Sequence, residues 1–81
     1  MKAEIVKVNY NRGFAIFLLE DGEYGWFEIL DSEEVNPEDV VYGNFTELDS
    51  TTIKKETGET VDIIIQDFCS IQVAMKMVFQ M

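Results

Sequence analysis

The sequence contains no histidine, one cysteine and one proline among its 81 residues. Without histidine, the catalytic triads in which a Ser or Cys is activated by a His base are excluded. Cys69 has no second cysteine to pair with, so an internal disulfide is excluded, and zinc, haem and iron–sulfur sites lose their usual ligands. We therefore expect no cofactor and no enzymatic activity.

Basic residues are also scarce, because six of them stand against sixteen acidic residues for a net charge of −10. A polyanion is repelled by phosphate backbones and by anionic membrane surfaces. Excess negative charge also has a simpler role, since it keeps a small protein soluble. The charge predicts that neither nucleic acid nor a membrane is the first-choice partner.

Long apolar runs are absent. No run approaches the roughly 20 residues that a membrane-spanning helix needs. The first four residues, Met-Lys-Ala-Glu, lack the apolar region of a secretion signal. We expect a cytoplasmic protein.

What the sequence does contain is a folded core, since 47% of its residues are apolar. Its first part predicts three antiparallel strands at residues 3–8, 14–19 and 24–30. Turn residues around Gly13 separate the first two strands. The dipeptide Asp21-Gly22 separates the second from the third and favours a type I′ hairpin turn.

The second part begins with an acidic stretch, residues 31–39, which predicts an exposed connection. Its carboxylates lack the spacing of a calcium-binding loop, so we expect no metal site. Residues 40–46 are typical of a strand in which Gly43 marks a bulge or a close approach. Residues 51–55 and 60–65 then predict a second hairpin, with Gly58 in the left-handed conformation.

The last stretch, residues 70–80, has two interpretations. Apolar residues alternate along it as in a strand, but Gln72, Lys76 and Gln80 also recur every fourth residue and form one polar stripe on an otherwise apolar helix. Ser70 is a suitable N-cap and most of the following residues favour helices. We prefer the helix and leave the strand open.

This pattern of strands resembles the OB-type barrel. The segment Asn9-x-x-Arg12-Gly13-Phe14-Ala15-Ile16 is similar to the first nucleic-acid motif of cold-shock domains, and residues 37–43 resemble the start of strand four in many OB-like domains. The latter half resembles small bacterial proteins of unassigned function whose terminal segment looks helical. The resemblance implies a mainly β protein. It would form a single OB-like domain over residues 1–81, with a five- to six-stranded antiparallel barrel and a C-terminal helix.

Three positions depart from the cold-shock pattern. Lys7 stands where those domains have Trp, Ile16 replaces the second stacking Phe, and the Phe-x-His platform of strand three has become Trp26-Phe27-Glu28. A Glu beside the platform opposes a phosphate backbone. These departures weaken the nucleic-acid function that the resemblance implies.

Alternation along the second and third strands places large apolar groups on both faces of the sheet. Ala15, Phe17, Leu19, Gly25, Phe27 and Ile29 point inward, and Phe14, Ile16, Leu18, Tyr24 and Trp26 share the outer face. Five such groups cover several hundred Å², about the upper end of what a soluble monomer exposes. We therefore expect something to cover this outer face.

Two answers compete for what covers it. In the structural one, the C-terminal segment packs its apolar side, formed by Ile71, Ala74, Met75 and Val78, onto the outer face. In the functional one, the outer face binds a partner. Stacking of single-stranded bases would use Phe14, Tyr24 and Trp26, with local positive charge from Lys7 and Arg12.

The sequence as a whole favours a non-enzymatic binding module whose partner is a protein or a second copy, ahead of single-stranded RNA or DNA. The candidate binding residues are Lys7, Arg12, Phe14, Ile16, Tyr24 and Trp26.

Overall fold

In a computed structural model, which describes residues 1–80, the chain forms six strands and one helix. They are β1 (Lys2–Asn9), β2 (Phe14–Leu19), β3 (Tyr24–Ile29), β4 (Val40–Tyr42), β5 (Ser50–Lys55), β6 (Thr60–Cys69) and α1 (Ile71–Phe79). The strands close into a barrel in the order β1-β2-β3-β6-β5-β4, and every neighbouring pair is antiparallel. The predicted mainly β barrel with a C-terminal helix is confirmed, with six strands, and is consistent with an OB-like fold.

The turn between β2 and β3 differs from the predicted one. Gly22 N donates to Leu19 O at 3.0 Å, and Gly22 has a φ of 90° while Asp21 keeps a negative φ. A type I′ turn requires positive φ at both central residues, so that prediction is wrong. The backbone forms a tight turn closed by a left-handed glycine, and Gly58 adopts the same conformation between β5 and β6, as predicted.

Two strand boundaries also differ from the prediction. β4 ends at Tyr42 instead of residue 46, and β6 continues to Cys69 instead of residue 65. A Cβ atom at Gly43 would lie 2.9 Å from Ile53 Cγ2, so Gly43 marks a close approach where the chain leaves the sheet. The extra length of β6 pairs with β3 across a register shift between Trp26 and Phe27.

The barrel interior is closed by apolar side chains from every strand. The fully or almost fully buried members are Ala3, Ile5, Ala15, Phe17, Leu19, Phe27, Val35, Val41, Phe45, Ile53, Val61, Ile63 and Ile65. Phe17 lies among three other rings, with centroid distances of 4.9 Å to Phe45, 5.9 Å to Phe68 and 6.0 Å to Phe27. The inward orientation predicted for Ala15, Phe17, Leu19 and Phe27 is confirmed.

Gly25 lies where β3 passes closest to its neighbours. A Cβ atom there would be 2.5 Å from Asp67 O and 2.5 Å from the Phe17 ring. Only a residue without a side chain fits this position, because both of those atoms belong to the packed barrel.

Among residues 1–80, no helix has the length and apolar character needed to cross a membrane.

Candidate functional site

The C-terminal segment is a helix, as preferred from the sequence. Ser70 is its N-cap in an extended conformation, and its side chain accepts a hydrogen bond from Val73 N at 3.3 Å. At the other end, Gln80 N donates to Lys76 O, and the side-chain amide of Asn9 donates to Val78 O at 2.8 Å. The bond from Asn9 attaches the end of α1 to the end of β1, and it satisfies a carbonyl that the helix cannot pair internally.

α1 lies on the outer face of β2 and β3. Ile16, Trp26, Ala74 and Val78 are buried together there, and the half-buried Val6, Phe14, Tyr24, Cys69, Ile71 and Met75 surround them. We call the barrel side of this contact, formed by Phe14, Ile16, Tyr24 and Trp26, the helix seat. The expectation that the C-terminal segment covers this face is confirmed.

The six candidate binding residues lie in or beside the helix seat. Ile16 is fully buried, Trp26 is 7% exposed, and Phe14 and Tyr24 are half-buried. Lys7 is exposed on β1 opposite Ile16, and the Arg12 guanidinium carbon lies 4.6 Å from the Phe14 ring centroid. The four apolar residues thus lie under α1 and do not form an open stacking platform.

The indole of Trp26 is packed but incompletely satisfied. Its ring lies 5.0 Å from that of Phe14 in a tilted arrangement. Its Nε1 atom is buried and has no hydrogen-bond acceptor among residues 1–80. An unpaired buried donor costs about 1–3 kcal/mol, so the closed helix seat carries an unfavourable contribution.

Sequence reasoning missed the side of α1 that faces away from the barrel. Val73 and Met77, one helical turn apart, are 43% and 39% exposed. We call these two residues the outer strip. Phe79 is 41% exposed but lies beyond the polar stripe of Gln72 and Lys76. The signal was present in the sequence, because a helix with a single polar stripe has more apolar surface than one contact with a barrel can bury.

α1 differs in charge from the chain that precedes it. All sixteen acidic residues precede Ser70, and the only charged residue on α1 is Lys76. The outer strip therefore lies on a helix without acidic residues in a strongly acidic protein.

Apart from the helix seat, the structure contains a cleft of about 180 Å³. The residues that line it include Val8, Tyr10, Ile29 and Asp31. The Asp31 carboxylate accepts hydrogen bonds from Asp62 N at 2.9 Å and Glu33 N at 2.8 Å, and these two bonds hold the pKa of Asp31 below its usual value. Its oxygens thus fix the connection between β3 and β4. No cluster of three potential metal-binding side chains occurs in the described part of the chain.

Cys69 is half-buried at the end of β6, beside α1. Burial raises the pKa of its thiol, and the nearby charge of Asp67 raises it further. The thiol therefore stays protonated near neutral pH, where it is a poor nucleophile.

Comparisons of the chain with protein-family models, with characterised proteins and with solved structures gave no match. The fold defines the class, a small mainly β barrel with a helix packed on its outer face. The resemblance to cold-shock domains is therefore supported only by the sequence segment from Asn9 to Ile16.

Proposed function

We propose that this protein is a non-enzymatic interaction module that binds a partner protein through the outer strip of α1. The observation that carries the proposal is the exposure of Val73 and Met77 on α1, a helix that follows the last acidic residue of the sequence. Exposed apolar groups of this size within a polar surround are typical of protein contact sites. The contact surface differs from the one expected from the sequence, because α1 lies on the aromatic outer face.

The partner has a definite chemistry. A protein of net charge −10 attracts a basic surface over a distance of about one Debye length and repels a second copy of itself. The partner we propose presents apolar side chains to the outer strip and Lys or Arg around them. Two exposed side chains form a small contact, so we expect weak, salt-sensitive binding in the cytoplasm.

The test uses the intact protein immobilised and exposed to a nuclease-treated cell extract. A Val73→Ser/Met77→Ser variant removes two apolar groups of the outer strip without changing the charge. The matched control is Leu48→Ser, at another exposed apolar side chain outside α1. We expect basic proteins to be retained by the unmodified protein and by the control, to elute with salt, and to be lost with the double variant.

Two results would contradict the proposal. Retention of the same proteins by the double variant would remove the outer strip from the contact. Enrichment of RNA without protein, from an extract not treated with nuclease, would overturn protein binding as the function.

Single-stranded nucleic acid remains the alternative. The position of Arg12 over Phe14, beside Trp26, favours it, since a cation next to stacked rings suits bases and phosphate. Bases can reach Trp26 only if α1 leaves the helix seat. The alternative predicts binding of oligo-dT or oligo-U that weakens with salt and with Trp26→Ala, and the absence of binding even at low salt would remove it.

A further inference from the structure

The contact between α1 and the barrel forms a separate apolar cluster. The barrel interior is closed by side chains from the six strands and their connections, and none of them comes from α1. Ala74 and Val78 pack against Ile16 and Trp26 on the opposite side of the sheet. The α1 contact and the barrel core therefore share no buried side chain.

Among residues 1–80, α1 is attached to the barrel at both of its ends. Its connection to β6 is one residue, Ser70, whose backbone is extended with φ −68° and ψ 161°. One side-chain hydrogen bond, from Asn9 to Val78 O, attaches its far end to the barrel. A helix of nine residues is too short to be stable alone in water, so its structure depends on the helix seat.

The closed arrangement is poorly optimised beneath α1. Trp26 Nε1 is buried there without an acceptor among residues 1–80. Lifting of the helix gives the indole N–H access to water, which reduces the cost of opening. Val73 and Met77 are exposed in the closed form already, so they do not hold the helix down.

From these observations we propose that α1 is a hinged cover, which lifts from the helix seat about Ser70 while the six-stranded barrel stays folded. The open form exposes Ile16 and Trp26. The inference does not depend on the proposed partner of the outer strip.

The test is native-state hydrogen exchange of the full chain, followed by NMR at low denaturant concentrations. We expect the amides of Lys76, Met77 and Val78 to be protected at least tenfold less than the amides of β2 and β3. The indole N–H of Trp26 should exchange at the rate of the α1 amides and with the same weak dependence on denaturant, because one opening exposes both.

The variant Asn9→Ala removes the bond to Val78 O. It should accelerate exchange in α1 and at the Trp26 indole severalfold, with no change in the amides of β2 and β3. The matched control, Asn11→Ala, alters an exposed residue of the turn between β1 and β2.

The proposal is refuted if α1, the indole and the barrel strands exchange through one shared opening in the unmodified protein. It is refuted equally if Asn9→Ala leaves the exchange of α1 unchanged or accelerates the whole barrel to the same extent. The measurement on the unmodified protein decides the matter alone if the variant fails to fold.

Discussion

Substitutions at two adjacent positions of α1 distinguish the contribution of its buried side from that of its exposed side. Val78 is fully buried against the helix seat, whereas Met77 is exposed in the outer strip. Val78→Ala removes two methyl groups from a packed site, a loss of about 1.5 kcal/mol in transfer free energy plus the contribution of the cavity. Alanine recovers about 0.5 kcal/mol through its higher helix propensity. The expected net loss in the free energy of unfolding is about 1–2 kcal/mol.

Met77→Ala provides the matched control. Because the side chain is largely solvated, the expected change in unfolding free energy is within about 0.5 kcal/mol. Urea unfolding followed by Trp26 fluorescence and by circular dichroism measures both variants. For a domain of this size, each kcal/mol corresponds to about 4–8 °C in the midpoint of thermal unfolding.

The two variants should also separate stability from binding. Met77→Ala should weaken capture of the basic partner with little loss of stability, and Val78→Ala should lower stability while the outer strip keeps its side chains. Equal losses of stability in the two variants would mean that α1 does not sit on β2 and β3 with Val78 inward. That result would refute the packing on which both proposals depend.

Three further predictions concern the barrel, the acidic connection and the thiol. Gly25→Ala should destabilise the protein by about 3 kcal/mol or more in urea unfolding, because the alanine Cβ would lie 2.5 Å from Asp67 O and from the Phe17 ring. A loss of stability below about 1 kcal/mol would contradict this close approach. Asp31→Asn should lower stability at neutral pH, and the difference in stability from the unmodified protein should shrink as the pH falls below about 4. The reason is that a carboxyl with a lowered folded-state pKa stabilises the fold only while it is ionised. A pH-independent difference between urea midpoints would contradict the role of its charge. Labelling of Cys69 by a thiol-specific disulfide reagent should show a pH midpoint above that of a short cysteine peptide, and a midpoint at or below the peptide value would contradict the raised pKa. Labelling should also be faster in Asn9→Ala if the hinged cover controls access to the thiol.

Much of the fold follows from local sequence. β2 and β3 are short, mainly apolar segments bounded by turn residues, and the order Ser70, Gln72, Lys76, Gln80 specifies a capped helix with one polar stripe, because both patterns lie within a single element. The positions of Gly22 and Gly58 at tight turns follow from the need for positive φ. The surplus of apolar groups on the outer face of the barrel also predicted that something would cover it.

The limits of sequence reasoning lie where distant segments meet. The end of β4 depends on the approach of Gly43 to Ile53, and the length of β6 depends on its pairing with β3 across the register shift at Trp26. Polar residues at 66 and 67 indicate the end of a strand when they are considered alone. Pairing with a neighbouring strand overrides that local preference.

For the candidate site, the sequence by itself determined that the outer face of β2 and β3 needs a cover and that α1 covers it with the side formed by Ile71, Ala74, Met75 and Val78. Only the tertiary structure decided that Val73 and Met77 stay exposed, that Trp26 Nε1 lacks an acceptor among residues 1–80, and that Asn9 bonds to a carbonyl 69 residues away. The physical reason is that helix periodicity fixes the angle between side chains on one element, whereas contacts between atoms of distant segments are set by the packing of α1 against the barrel.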